Sequence, residues 1–141
     1  MKYGSKRKCI LLIDHQAYWR ELFTQALQDA GFNVSALATY NQVPLQDYLE
    51  DENPDLVVLG CTRIRDEELR LIEHILDHKR HLLVLCASLS WQIMRSLFLL
   101  GVTDIVDKPY DHDRLVKTVN KALVSITPRN GYQAVERASA R

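Results

Sequence analysis

Residues 55–60, DLVVLG, constrain this chain more than any other stretch. A continuous apolar run without polar alternation has no face to offer water, so it requires a strand with helices packed above and below. Two further runs, CILLI at 9–13 and LLVLCA at 82–87, repeat that demand. These three strands are expected at the centre of one sheet. The run at 55–60 follows Asn53–Pro54, stops at Gly60 and gives way to a polar loop, Cys61–Thr62–Arg63. In open parallel sheets, ligands and reacting groups gather beyond the carboxyl ends of the strands. Gly60 stands at such an end without a side chain to react or bind.

The segments between the runs have helical period. Trp19, Leu22, Phe23, Ala26, Leu27 and Ala30 form one stripe from Ala17 to Ala30, and Gly31 ends it. A second strand covers 33–38, and a shorter helix covers 43–50, with Pro44 tolerated in its first turn. A third helix at 66–78 turns Leu69, Ile72, Ile75 and Leu76 inward. Ser90 caps the fourth, which ends at Gly101. A short fifth strand at 103–106 is closed by Lys108–Pro109, and Asp111 caps a last helix. Its stripe is Leu115, Val116, Val119, Ala122, Leu123 and Ile126, and Thr127–Pro128 stops it. Five βα units in series predict a parallel sheet with right-handed crossovers and helices on both faces. One domain is expected over 1–126, with 127–141 a tail, a short helix or disordered, too short for an effector domain.

Bulk properties exclude several functions. Eighteen basic and 18 acidic residues cancel, which argues against a nucleic-acid partner. The basic cluster Lys6–Arg7–Lys8 reads as a solvated terminus rather than a partner contact. No apolar run approaches ~18 residues, so no membrane span is expected. The amino-terminal stretch lacks the cleavage site of a secretory signal. Cys9, Cys61 and Cys86 show no pairing motif, which fits reduced thiols and a cytoplasmic location.

Several residues coincide with a known pattern. Asp14 ends the first strand with Arg20 six residues on, the third strand reads PDLVVL, and Cys86–Ala87 closes the fourth. Residues 101–115 read GVTDIVDKPYDHDRL. Over about residues 8–124 the chain resembles the receiver domain of bacterial response regulators. The resemblance implies a flavodoxin-like, doubly wound (βα)5 fold with a five-stranded parallel sheet in the order 2-1-3-4-5. It also implies a chemistry: a carboxylate ending the third strand takes a phosphoryl group from a phosphohistidine. Two acids after the first strand and that carboxylate hold a divalent ion, while a lysine and a Ser/Thr hydroxyl contact the phosphoryl oxygens. Magnesium demands hard oxygen ligands, so the number of carboxylates matters.

Carried over position by position, those roles are mostly unfilled. The nucleophile's position is Gly60, the second acid's is His15 and the hydroxyl's is Cys86; only Asp14 and Lys108 remain. The family's loop proline is replaced by Ile64, the glycine opening the third helix by Glu68, and the aromatic three residues before the lysine by Ile105. Asp55 lies about 16 Å back along the strand at ~3.3 Å per residue, and Asp66 sits past the loop. Neither substitutes for the missing carboxylate. The expectation is therefore a pseudo-receiver: no enzyme, no cofactor, no metal, and a vestigial pocket of Asp14, His15, Gly60, Cys86 and Lys108. With no phosphate competing, Lys108 is expected to pair with Asp14.

The resemblance places the contact surface on the fourth helix, fifth strand and fifth helix. Trp91, Met94 and Ile105 are the candidate partner-binding residues there, with Leu99 beside them and Ile93, Leu97 and Leu100 turned inward. The expected partner is a signalling protein or a sensor kinase, or a second copy through the fourth and fifth helices.

Two other chemistries fit some of these residues. Asp14, His15 and Cys86, with Cys61 nearby, are types that ligate transition metals, although their spacing matches no metal motif. Cys86 beside Lys108, or bridged to Cys61, would make a thiol-responsive sensor, against the blander reading of packed thiols. His74 and His78, four apart with His81 following, read more simply as a solvated helix face than as a metal pair. A cobalamin-binding segment is rejected, because Asp14 and His15 are adjacent and no glycine follows before Gly31.

Overall fold

A computed structural model describes residues 7–38, 42–108 and 111–126. The tail at 127–141 and Pro109 of the Lys108–Pro109 pair lie outside the described residues. Five strands, β1 (Cys9–Asp14), β2 (Asn33–Leu37), β3 (Leu56–Cys61), β4 (Leu82–Cys86) and β5 (Asp104–Asp107), alternate with five helices. The helices are α1 (Ala17–Asp29), α2 (Gln42–Asp47), α3 (Asp66–Asp77), α4 (Trp91–Leu100) and α5 (His112–Ile126). All strand pairs are parallel and the order is β2-β1-β3-β4-β5, so the three most apolar strands are central, as their sequence demands.

Pleat parity splits the core into two layers. Leu11, Ile13, Val57, Leu59, Val84 and Ile105 point toward α2, α3 and α4, while Ile10, Leu12, Leu56, Val58, Leu83 and Leu85 point toward α1 and α5. Every residue of β3 and β4 is buried. Replacing one of these large aliphatic side chains with alanine would cost about 2–5 kcal/mol.

Caps fix several boundaries. Ser90 Oγ accepts from the Ile93 N–H at 3.2 Å, and Asp111 Oδ1 accepts from the Arg114 N–H at 2.8 Å. Gly101 closes α4 at φ 111°, a conformation that disfavours a side chain. Three expectations shift. The chain after α2 widens into a π-helical turn over Tyr48–Glu52, ended by Asn53 at φ 48°. β3 runs one residue later than expected, so Cys61 is a buried strand residue and not part of the loop. Leu100, placed inward from the sequence, is 43% exposed; the face of α4 on the core is set by buried Leu97, with Ile93 and Met94 partly buried beside it. Among the described residues, no helix is long and apolar enough to cross a membrane.

Candidate functional site

Asp14 and Gly60 are register partners at the carboxyl ends of β1 and β3. Asp14, Gly60 and Lys108 share the pleat phase of Leu12, Val58 and Val106, which face α1 and α5. That phase aims the Lys108 ammonium at Asp14. Nζ lies 2.9 Å from Asp14 Oδ2, with side-chain exposures of only 2% and 1%. A Cβ built on Gly60 would overlap Asp14 Oδ2 and come within 3.1 Å of Asp14 Cγ and 3.5 Å of Lys108 Cε. The space that a side chain on Gly60 would need is thus filled by the Asp14 carboxylate.

The pair is tightly held. Asp14 Oδ1 accepts from the Gln16 N–H at 2.9 Å, and Lys108 Nζ sits 4.9 Å from the centre of the Trp19 ring. Apart from each other, Asp14 Oδ2 and Lys108 Nζ have no hydrogen-bond partner among the described residues. Two opposite charges buried in this way depend on each other for neutralisation. His15 does not join them. It is exposed, and its Nδ1 lies 3.2 Å from the Ala38 carbonyl oxygen.

These residues do not fit the divalent ion of the resemblance. One carboxylate oxygen of Asp14 is neutralised by an ammonium and the other holds a backbone N–H. Beside Asp14, His15 offers an imidazole and Gly60 no side chain. Among the described residues, no group of three His, Cys, Asp or Glu side chains is arranged to hold a metal.

The thiols form a second cluster on the opposite side of the sheet. Cys61 and Cys86 are register partners on β3 and β4, and both belong to the layer facing α2, α3 and α4. The contact between the two thiols is the largest influence on each: it raises Cys61, which burial raises further, and it lowers Cys86, which settles at about 7 with burial opposing and the Ser88 backbone and Lys108 assisting. Cys86 Sγ also lies 3.4 Å from the carbonyl oxygens of Thr62 and Ser88. Cys61 lines a cleft of about 340 Å3 together with Asp14, His15, Arg65 and Glu68.

Glu68 escaped the sequence reading of α3, whose inward stripe runs through Glu68, Leu71, Ile72 and Ile75. Its carboxylate is only 1% exposed and accepts from the Arg65 N–H at 2.9 Å and from Arg65 Nη2 at 3.2 Å. Burial pushes the Glu68 carboxyl up, but the Arg65 hydrogen bonds outweigh burial and hold it below its ordinary 4.5. A carboxyl lowered on folding adds stability above its unfolded value, and that stability disappears as pH falls through the folded value. Glu68→Gln should therefore be less stable than the parent near neutrality, and the gap should close below about pH 4.5. Urea melts at pH 7 and pH 3.5 measure this; a gap that widened in acid would contradict it. His74 and His78, expected on a solvated face, are half-buried and stacked edge to face at 4.5 Å, and burial is the larger cause that lowers His74.

The fold matches a known group. The profile of the response regulator receiver domain matches residues 10–120. The chain belongs to that family. The receiver is 27% identical over 117 residues to the chemotaxis protein CheY of Bacillus subtilis, across 81% of this chain and 96% of that protein. The CheY of Thermotoga maritima is 25% identical over 116 residues, again across 81% of this chain and 96% of that protein. Among solved structures, a response regulator from Thermotoga maritima superimposes with a TM-score of 0.73 at 24% identity, covering 84% of this chain and 99% of that one.

On the receiver's α4, Trp91 and Leu99 are 66% and 78% exposed, outside the inward stripe as expected. Phe98, which the sequence reading passed over, is 47% exposed. Met94 is half-buried against the core. Ile105, expected on the partner surface, is buried at 3%: it pairs with Val84 and points into the layer beneath α4.

Proposed function

We propose that this receiver is a pseudo-receiver: a cytoplasmic signalling module that acts through protein contacts, without phosphorylation and without turnover. One observation carries the proposal. At the family's acceptor position stands Gly60, and the room for an acceptor side chain is taken by the carboxylate of a buried Asp14–Lys108 pair. Lys108, which in the family contacts the phosphoryl group, is neutralised internally. His15 and Cys86 replace a hard oxygen ligand and a hydroxyl, so neither the ion nor the phosphoryl oxygens would be held.

The test is beryllofluoride, a phosphoryl mimic, added with magnesium and followed by amide NMR. The expected result is no saturable shift at Gly60 or Lys108. Saturable shifts centred on those two residues would contradict the proposal.

The partner face of this reading is α4, where Trp91, Phe98 and Leu99 are exposed, with Met94 at its inner edge. Apolar side chains clustered on one helix favour a docking surface over a bare solvated one. A second copy and a different signalling protein are the candidate occupants, and light scattering separates them. A dimer abolished by Leu99→Asp assigns the face to a second copy, whereas a monomer removes the second copy as its occupant. A dimer unaffected by Leu99→Asp would sink the α4 assignment.

A further inference from the structure

We propose that Cys61 and Cys86 form a redox-responsive dithiol that closes to a disulfide across β3 and β4 when peroxide enters the adjoining cleft. This goes beyond the pseudo-receiver role and does not depend on it. Register partners on neighbouring parallel strands lie about 4.8 Å apart, inside the ~4.4–6.8 Å span that a disulfide bridges. Both side chains point to the same layer, so the two sulfurs stand side by side across the strands. Cys61 lines the cleft, and its register partner Cys86 is completely buried and outside the lining, so peroxide reaches Cys86 only past Cys61. The hydrogen bond from Cys61 favours the Cys86 thiolate, which is the nucleophilic form. Cys9 begins β1 at the opposite end of the sheet, about 16 Å from the level of Asp14, and takes no part.

The chemistry balances with peroxide as the oxidant. The Cys86 sulfur attacks one peroxide oxygen, the O–O bond breaks, and the leaving hydroxide takes the thiol proton as water. Cys86 then carries a sulfenic acid. The Cys61 sulfur attacks that sulfur, the S–O bond breaks, and the second hydroxide leaves as water with the Cys61 proton. Two thiols lose two electrons to peroxide, giving one disulfide and two waters. Oxidised Cys86 has no proton to donate to the Thr62 and Ser88 carbonyls. One tie between the β4–α4 loop and the strand end is thereby lost, three residues before the exposed Trp91.

Cys9→Ser protein, treated with hydrogen peroxide while folded and digested with trypsin without reduction, tests the proposal. The expected result is loss of the mass of two hydrogens, a covalent link between peptides 21–63 and 81–95 within one chain, and reversal by dithiothreitol. Cys61→Ser in the same background should retain one added oxygen on Cys86 and show no link. Two thiols still titratable after denaturation, a link only between chains, or irreversible oxidation of one cysteine alone would each overturn the proposal. The linkage in Cys9→Ser protein decides the matter whether or not the Cys61→Ser variant folds.

Discussion

Lys108→Met is expected to remove about 3–5 kcal/mol of folding stability, the usual consequence of leaving one member of a buried ion pair uncompensated. Methionine matches the length of the lysine stem, so the packing against Trp19 is largely kept and the loss isolates the charge. Asp14 would then hold a carboxylate at 1% side-chain exposure with only the Gln16 N–H as partner. At ~1–3 kcal/mol per molar, the urea midpoint should fall by more than about 1 M. Adding Asp14→Asn to Lys108→Met should recover most of the loss, since the amide oxygen still accepts from Gln16 and no charge remains buried. Non-recovery would contradict the pairing with Asp14 as the source of the loss.

Gly60→Asp is expected both to destabilise the chain and to leave it unable to take up a phosphoryl group. The new Cβ would overlap Asp14 Oδ2, so the Asp14 side chain must rotate and its contact with Lys108 must lengthen. Overpacking of that kind costs about 1–3 kcal/mol, and the second carboxylate adds like-charge repulsion. On the proposed reading, His15 and Cys86 would still leave the ion and the phosphoryl oxygens without ligands. Rapid magnesium-dependent labelling of this single variant would show that the rest of the site is competent and that Gly60 alone keeps it silent.

The sequence carried the fold because burial on both faces leaves few arrangements for strands such as CILLI, DLVVLG and LLVLC. The Ser90 and Asp111 caps and the Gly31 and Gly101 stops were legible for the same reason: each is a local backbone requirement met by a particular residue. The pairing of Asp14 with Lys108 was also within reach. That the Asp14 carboxylate fills the room beside Gly60 was not, because it depends on the Asp14–Gly60 register, a long-range fact.

Ile105 was misplaced because DIVD has two adjacent apolar residues, so alternation could not decide which of Ile105 and Val106 faces the α4 layer. Leu100 is misplaced because a run of apolar residues such as Leu97–Phe98–Leu99–Leu100 does not say which of them meets the core. Glu68 went unnoticed as a buried group since nothing in its own neighbourhood marks it, although Arg65 three residues earlier was the signal available. Gly60 reads as the end of β3 and leaves Cys61 in the loop; the register of Cys61 with Cys86 emerges only once β4 is laid beside β3. The π-helical turn at Tyr48–Glu52 has no sequence signature here.

The most direct measurement is the intact mass of the receiver after incubation with acetyl phosphate and magnesium. With Asp14 and Lys108 occupying the acceptor's place beside Gly60, the mass is predicted to stay unchanged at every time point. A stoichiometric gain of one phosphoryl group, mapped to any carboxylate in the cleft beside Lys108, would contradict the account.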